Sequence, residues 1–264
     1  MDQIVSRAAR LFDLAALYRG RDYGAIALRV LLIGALAFSL GALFAGLNQG
    51  VLDIHNFRQS QTGLTTMWLA RGGPWLAYET PVIGHPWTIP FELPVYQWIC
   101  ALLHLVGVPL DPAGRIVNWA FYAGAIGVAG LTMRRLGATS DLMFAFAILM
   151  LFSPLYAFWS RTVMIESTAL FFASLFLYGL VGTLQSGARH FLVFMAVGGV
   201  LGALVKITTF VAFGATGGAI VLTHMIGLYF KDRRLWPALR ASLAPGVAML
   251  ASLVLLYGCT TLTR

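Results

Sequence analysis

Charged residues are scarce in this sequence. Asp, Glu, Lys and Arg make up 11% of its 264 residues, whereas they account for about a quarter of an ordinary soluble domain. Hydrophobic residues make up 59%, and the mean hydropathy is +0.81. This balance excludes a soluble domain with a hydrated surface and indicates an integral membrane protein.

Cysteine is also scarce, and several functional motifs are absent. The two cysteines, Cys100 and Cys259, do not have the spacing of a metal site. A disulfide between them on the outer side stays open, but two buried thiols are the expected state. The sequence contains no glycine-rich phosphate loop, internal repeat or low-complexity tract. Small-residue pairs such as Gly198–Gly202 and Gly214–Gly218 predict close helix packing rather than function.

The sequence does contain a series of apolar runs. A membrane-spanning helix needs about 17 to 25 predominantly apolar residues. Seven runs approach or reach this length: Ile26–Leu47, Ile116–Leu131, Leu142–Trp159, Ser167–Leu184, Phe191–Val205, Thr208–Phe230 and Ala241–Tyr257. We therefore predict an all-α polytopic membrane protein with about seven transmembrane helices and a long first external loop that carries interfacial amphipathic helices.

An eighth apolar segment, Leu93–Val106, is too short to span. Pro94 opens it, and Gly107 and Pro109 close it. The remaining helix of about a dozen residues is roughly 18 Å long, against a hydrocarbon core of about 30 Å. We predict that it lies in or near the membrane interface.

The basic residues predict the orientation, because cytoplasmic loops collect Lys and Arg. With seven crossings and a cytoplasmic N-terminus, the inside holds most of them: Arg7, Arg10, Arg19, Arg21, Arg134, Arg135, Arg189, Lys231, Arg233, Arg234 and Arg240. The outside holds Arg58, Arg71, Arg115, Arg161 and Lys206. The formal charge of +8 is then a topology signal and an attraction to anionic headgroups, not a nucleic-acid footprint. We predict a cytoplasmic amphipathic segment at residues 1–23 and a membrane module at 24–264.

Residues 48–114 form the predicted first periplasmic loop, and loops of this length often carry function. Its first part includes VLDIHNFRQSQT, residues 51–62. Asn56 and Gln59 have the spacing of a capping box, with Asp53 just ahead of the helix start. Polar and apolar residues then occupy different faces: His55, Arg58, Gln59, Thr62 and Thr66 against Phe57, Leu64, Met67 and Trp68. We predict an amphipathic helix on the membrane; the plainer alternative is a wetted polar face with a helix cap.

The second part of this loop, YETPVIGHPWTIPFELP at 78–94, has too many prolines for regular structure. Glu79, His85 and Trp87, together with His55 and Gln59 from the first part of the loop, are candidates for contact with an acceptor. Aromatic rings such as Tyr78 also offer faces for a sugar, although aromatics at an interface are more often belt residues. We assign Trp98 to the belt and leave both interpretations open for Trp87.

A second polar cluster, SRTVMIE at 160–166, lies on the same predicted side. Ionisable residues at the edge of a membrane segment are candidates for function; the alternative is a surface ion pair between Arg161 and Glu166. Lys206 lies between two apolar runs, where it either snorkels to the headgroups or supplies a cation for a lipid phosphate. Arg58, Arg161 and Lys206 together would form a phosphate clamp.

This arrangement resembles the glycosyltransferase-C superfamily of membrane enzymes, most closely its protein mannosyltransferase and lipid A aminoarabinose transferase branch. The matching features are an Asp in a long first external loop, an amphipathic helix behind it, an apolar interfacial helix, RRLG after the next crossing, SR…E before a further one and a late Lys in GALVK. In organisation the resemblance covers about residues 24 to 230.

The resemblance implies transfer of a sugar from a polyprenyl-phosphate carrier to an acceptor hydroxyl on the periplasmic face of a bacterial inner membrane. It implies that Asp53 is a general base or orients the acceptor, and that Glu166 is the second acidic residue. It also implies that Arg161 and Lys206 contact the carrier phosphate. The expected partners are the lipid-linked donor, a glycan, lipid or protein acceptor, and the bilayer; no nucleic acid is expected.

Two departures from the family pattern limit these expectations. Asp53-Ile54-His55 lacks the second acid that many relatives have, so paired acids do not support a divalent metal, and no cofactor is assigned. The chain ends at Arg264, where family members continue, so we expect an N-terminal module of a larger enzyme or a partner subunit that completes it. The rival class is a non-enzymatic lipid or solute transporter or an assembly subunit. His224 is the main ionisable residue within a predicted span, which is little for a transporter.

Overall fold

The computed structural model describes residues 21–51, 55–76, 78–81 and 92–232. Helices and turns make up this part of the chain, and its nine helices are α1 (Arg21–Gly46), α2 (Asn56–Ala70), α3 (Val95–Leu105), α4 (Leu110–Arg135), α5 (Ser140–Phe152), α6 (Pro154–Trp159), α7 (Glu166–Ser186), α8 (Arg189–Val205) and α9 (Ile207–Asp232). Four stretches are long and apolar enough to cross a membrane: Tyr23–Gly46, Leu110–Arg135, Glu166–Ser186 and Ile207–Phe230. The predicted all-α class with several membrane helices is therefore supported, while the seventh predicted crossing, Ala241–Tyr257, lies outside the described residues.

The central helix of the bundle is α7. It packs against α8, α4 and α9, and 61% of its most apolar window is buried, compared with 17% for α1 and 6% for α9. Phe172, Phe176 and Leu180 supply much of its buried surface. The outer helices thus keep apolar side chains exposed on most of their surface, as expected of helices that face lipid.

The predicted crossing Leu142–Trp159 is not a continuous helix. Proline lacks a backbone N–H, and it disfavours the helical conformation of the preceding residue. Ser153, which precedes Pro154, accordingly has φ −59° and ψ 121°. The chain therefore divides here into α5, with 13 residues, and α6, with 6 residues.

The predicted short helix within Leu93–Val106 is seen as α3 (Val95–Leu105), which is shorter than a membrane span requires. It has 11 residues and packs between α2 and α4. Its Cys100 is a free, buried thiol, and burial raises the pKa of that thiol to about 12. The thiol is therefore neutral and unreactive at physiological pH; Cys259 lies outside the described residues.

Glycines allow the backbones of α7 and α8 to approach closely. A Cβ at Gly179 would collide with the backbone nitrogen of Met195, and one at Gly198 with that of Phe176. The predicted packing role is thus confirmed for Gly198. It is not seen for Gly218, where a Cβ would meet no described atom within 4 Å.

Replacement of Gly198 by alanine is expected to lower the thermal unfolding midpoint in detergent by roughly 5 °C. The helices must separate to admit the methyl group, which typically costs about 1–3 kcal/mol, and each kcal/mol shifts the midpoint by about 2–4 °C. The matched control is Gly218→Ala, which gains helix propensity without a collision and should leave the midpoint unchanged or higher. Equal midpoints for both variants would contradict the assigned packing role.

Candidate functional site

Loops and helix ends converge at one end of the bundle, which we call the polar end. It comprises the last turns of α1, α6 and α8, the first turns of α4, α7 and α9, and the helices α2 and α3. Most buried polar side chains of the described residues lie here, among them Gln59, Thr65, Arg115, Asn118 and Thr168. The predicted separation of an apolar membrane body from a polar end is therefore seen in the fold.

The polar face of α2 points into the protein. Gln59 and Thr65 are fully buried, whereas Phe57 is 71% exposed. The Gln59 Oε1 atom accepts a hydrogen bond of 3.0 Å from the backbone N–H of Val163, and the Thr65 hydroxyl lies 2.7 Å from that of Thr80. The alternative of a merely wetted polar face is therefore wrong for Gln59, and also for Thr66, which is buried.

The predicted capping box at Asn56 and Gln59 was also wrong. The N-cap of α2 is His55, and no side chain caps the helix. The Gln59 Oε1 atom instead accepts a hydrogen bond from Val163 across the fold. His55 itself has φ +61°, which is uncommon for a residue with a Cβ, and its ring lies 4.8 Å from the Trp159 ring.

Arg115 and Asn118 hold the polar end together from one face of α4. Arg115 is 1% exposed, and its guanidinium donates to the backbone oxygens of Arg161 at 2.6 Å and Gln49 at 2.8 Å. The Asn118 amide donates to the backbone oxygens of Trp159 at 2.6 Å and Thr162 at 2.8 Å. Arg115 thus connects the 159–165 segment to the end of α1, and Asn118 connects the same segment to α4. The backbone oxygens that accept these bonds lie at helix ends or in turns, so the two side chains supply donors that a helix does not.

Glu166 and Lys206 form an ion pair with a distance of 2.5 Å between Oε1 and Nζ. Glu166 begins α7, and Lys206 follows the last residue of α8 in an extended conformation, with φ −160° and ψ 96°. A carboxylate at a helix N-terminus and an ammonium at a helix C-terminus each complement the helix dipole. The alternative of an Arg161–Glu166 pair was wrong.

This ion pair is only partly shielded from solvent. The side chains of Lys206 and Glu166 are 22% and 23% exposed. The second carboxylate oxygen of Glu166, Oε2, is buried and accepts no hydrogen bond from any described residue. A buried carboxylate oxygen normally has a donor, so this carboxylate retains an unused acceptor.

A pocket of about 220 Å³ opens beside Glu166. Its lining is mostly apolar and comes from α6, α7 and α9: Leu155, Tyr156, Trp159, Glu166, Ser167, Leu170 and Thr209. Leu155 is 61% exposed on the outer surface of the bundle. The pocket therefore combines one charged group, three hydroxyls and two aromatic rings with an apolar wall, which suits an amphipathic ligand.

Arg58 pairs with Glu92, a residue that the sequence analysis did not single out. The Arg58 Nη2 atom lies 2.9 Å from Glu92 Oε1, and Nη1 donates to Gln61 Oε1 at 3.0 Å. The next residue after Glu92, Leu93, donates its N–H to the backbone oxygen of Leu204. The short segment Glu92–Leu93 thus connects Arg58 to the backbone next to Lys206. Arg58 and Lys206 each already have a carboxylate partner.

Arg161 is the third member of the predicted clamp. Its guanidinium packs against the last residue of α1, Gly46. A Cβ atom added to Gly46 would lie 2.7 Å from the Arg161 Nη1 atom. Among the described residues it forms no ion pair. Arg161 therefore differs from Arg58 and Lys206, each of which has a carboxylate partner.

The acceptor candidates of the first loop are only partly described. The Glu79 Oε2 atom accepts from the Trp68 indole at 3.2 Å, away from the pocket residues. Trp98 donates to the backbone oxygen of Trp75 at 2.9 Å. Asp53, His85 and Trp87 lie outside the described residues.

Sequence reasoning missed Glu92, Arg115 and Asn118 as members of this site. A usable signal exists for the latter two, because Arg115 and Asn118 are three residues apart in an apolar helix and thus share a face. No comparable local signal marks Glu92. It lies in a proline-rich segment, and its partner is 34 residues away.

Within the described part of the chain, no group of three or more His, Cys, Asp or Glu side chains could hold a metal ion. No protein-family model matches the chain, and no curated protein or solved structure is significantly similar to it.

Proposed function

We propose that this protein is a membrane glycosyltransferase that moves a sugar from a polyprenyl-phosphate carrier to an acceptor hydroxyl. The observation that carries the proposal is the Glu166–Lys206 pair beside an amphipathic pocket. A carboxylate with an unused oxygen can accept a hydroxyl proton, and an ammonium beside it can bind a phosphate. Both groups are needed where a lipid phosphate is the leaving group.

The proposed reaction is a displacement at the anomeric carbon. The acceptor oxygen forms a bond to this carbon, while the bond between the carbon and the phosphate oxygen breaks. The electron pair of the broken bond stays on the polyprenyl phosphate, and the hydroxyl proton passes to a carboxylate. The leaving phosphate is already a stabilised anion, so the enzyme must mainly supply positive charge beside it and a base beside the hydroxyl.

In this proposal Lys206 and Arg161 stabilise the phosphate, and Glu166 binds the attacking hydroxyl. Arg161 forms no ion pair among the described residues, which supports a role for it in binding an anionic donor. The aromatic rings of Trp159 and Tyr156 offer apolar faces beside Glu166 for a sugar or the first part of the lipid chain. Asp53, the base expected from the family resemblance, precedes α2, whose buried polar face joins the same end.

The setting of the polar end on the periplasmic side of an inner membrane is part of the same proposal. Arg134, Arg135 and Arg189 lie at the opposite end of the bundle. Because cytoplasmic loops collect basic residues, this placement supports a cytoplasmic position for that end. The polar end then faces the periplasm, and the carrier lipid reaches it from within the bilayer.

The test is a transfer assay on the chain in lipid nanodiscs with a panel of polyprenyl-phosphate-linked hexoses and pentoses. Release of polyprenyl phosphate is measured with and without a membrane lipid extract as acceptor. Glu166→Gln and Asp53→Asn are each expected to reduce release by about 10²–10⁴-fold, the usual contribution of a positioned acid or base. Asp111→Asn, a carboxylate-to-amide change in the first turn of α4, is the matched control and should retain release.

Release that is absent for every donor would count against a transferase formed by this chain alone. Release that is equal in Glu166→Gln and wild type would show that Glu166 is not the hydroxyl-binding carboxylate. Binding of the donor is measured in parallel, so that a loss of chemistry is separated from a loss of affinity.

A further inference from the structure

Lys206 has one carboxylate partner in the described structure, and a phosphate would need the same ammonium. The Glu166–Lys206 distance of 2.5 Å is a direct contact, and about a fifth of each side chain is exposed. A phosphate oxygen bound to Lys206 Nζ would therefore lie close to the Glu166 carboxylate. Two anions at such a distance repel each other, and more strongly in a partly apolar site than in water.

We infer that Glu166 and the carrier phosphate compete for Lys206, so that donor binding releases the Glu166 carboxylate. Glu166 is thus a resident counter-ion that occupies the phosphate position until the donor arrives. The inference rests on the proposed function and goes beyond it, because it sets an order in which the substrates bind.

The geometry offers the released carboxylate a new position. Ser167 and Thr209 line the same pocket as Glu166, and their hydroxyls are hydrogen-bond donors. The Ser167 side chain has no hydrogen bond to another described residue in the present arrangement. A rotation of the Glu166 side chain exchanges Lys206 for these hydroxyls or for the hydroxyl of an acceptor.

The exchange would have a consequence for the order in which the substrates bind. Before the donor binds, one carboxylate oxygen of Glu166 is held by Lys206. After the donor binds, the phosphate takes the ammonium, and this oxygen is free to accept a hydrogen bond from the acceptor hydroxyl. The base is therefore fully active only when a donor is present, which favours binding of the donor before the acceptor.

The experiment measures the affinity of polyprenyl phosphate for the full chain in nanodiscs of zwitterionic lipid, by native mass spectrometry. Glu166→Gln removes the competing charge and keeps the shape of the side chain. It is expected to bind polyprenyl phosphate about tenfold more tightly than wild type, the effect of freeing one charged hydrogen bond. Asp111→Asn removes the same charge elsewhere at the polar end and should change the affinity less than about twofold.

A double variant and a competition experiment test whether Lys206 is the ligand and whether the lipid is the occupant. Glu166→Gln combined with Lys206→Gln should lose the gain, because the freed ammonium is the proposed ligand. Inorganic phosphate is titrated as a competitor, and it should be displaced by polyprenyl phosphate; a gain for inorganic phosphate alone would overturn the lipid as the occupant.

The failures of the two proposals are distinguishable. Wild-type binding without any gain in Glu166→Gln, or an equal gain in Asp111→Asn, would overturn the exchange and leave the proposed donor intact. No binding in wild type or in Glu166→Gln would overturn both.

Discussion

Replacement of Lys206 by glutamine should reduce sugar transfer by at least about a hundredfold. Removing one preorganised donor from a developing anion typically costs about 10²–10³ in rate, and here the lost group is a full positive charge. The Kd for polyprenyl phosphate should rise, while binding of an acceptor should change little. Transfer and donor affinity are measured on the same nanodisc preparation.

The same substitution also leaves Glu166 without its partner. Its contact with Lys206 is the one ion pair of Glu166 within the described structure, and an unpaired charged group in a partly buried place costs about 1–3 kcal/mol. Lys206→Gln should therefore lower the unfolding midpoint, and a second change, Glu166→Gln, should restore it. Transfer should not return in the double variant. If it does, Lys206 acts only by holding Glu166, and the phosphate assignment fails.

Replacement of Arg115 by glutamine should have the largest effect on stability. The Arg115 guanidinium is buried and binds the backbone oxygens of Arg161 and Gln49, with a longer bond of 3.3 Å to that of Gly50. A glutamine amide is too short and has too few donors to reach both segments. With hydrogen bonds to a charged group worth about 1.5–3 kcal/mol each, the loss should be about 4 kcal/mol, or roughly 10 °C in the midpoint.

Two control variants separate the bonds of Arg115 from its charge. Arg71→Gln removes an exposed arginine at the end of α2 and should leave the midpoint nearly unchanged. Arg115→Lys keeps the charge but lacks the planar fork, so it should recover only part of the loss. Full recovery with lysine would show that a positive charge, rather than the two-segment bridge, is what the fold requires.

Helix type and approximate position could be predicted from the sequence because both depend on local patterns. The short helix α3 followed from Pro94 and the glycine after the apolar run, and its 11 residues agree with that expectation. The break at Ser153 was equally local and could have been predicted from Pro154, but the apolar run around it was interpreted as one span. Proline chemistry overrides hydropathy at such a position, because hydropathy contains no information on backbone hydrogen bonds.

The grouping of polar residues at one end was also accessible from the sequence. Apolar runs alternate with polar segments, so Arg58, Arg161, Glu166 and Lys206 were expected on one side, and all four lie at the polar end. The choice of partners within that group was not accessible. Arg58 binds Glu92, a partner that was not predicted, and Glu166 binds Lys206 rather than its near neighbour Arg161.

The sequence by itself determined that the chain is helical with several helices apolar enough to cross a membrane, where most of its helices lie and which residues share an end. These properties follow from hydrophobicity, proline and glycine, which act over a few residues. Only the tertiary structure decided that Gln59 binds Val163, 104 residues away, and that Glu166 meets Lys206, 40 residues away. Such pairs depend on how α7 packs against α8 and how α2 folds back onto the bundle, and this packing is the sum of many contacts that no single stretch of sequence contains.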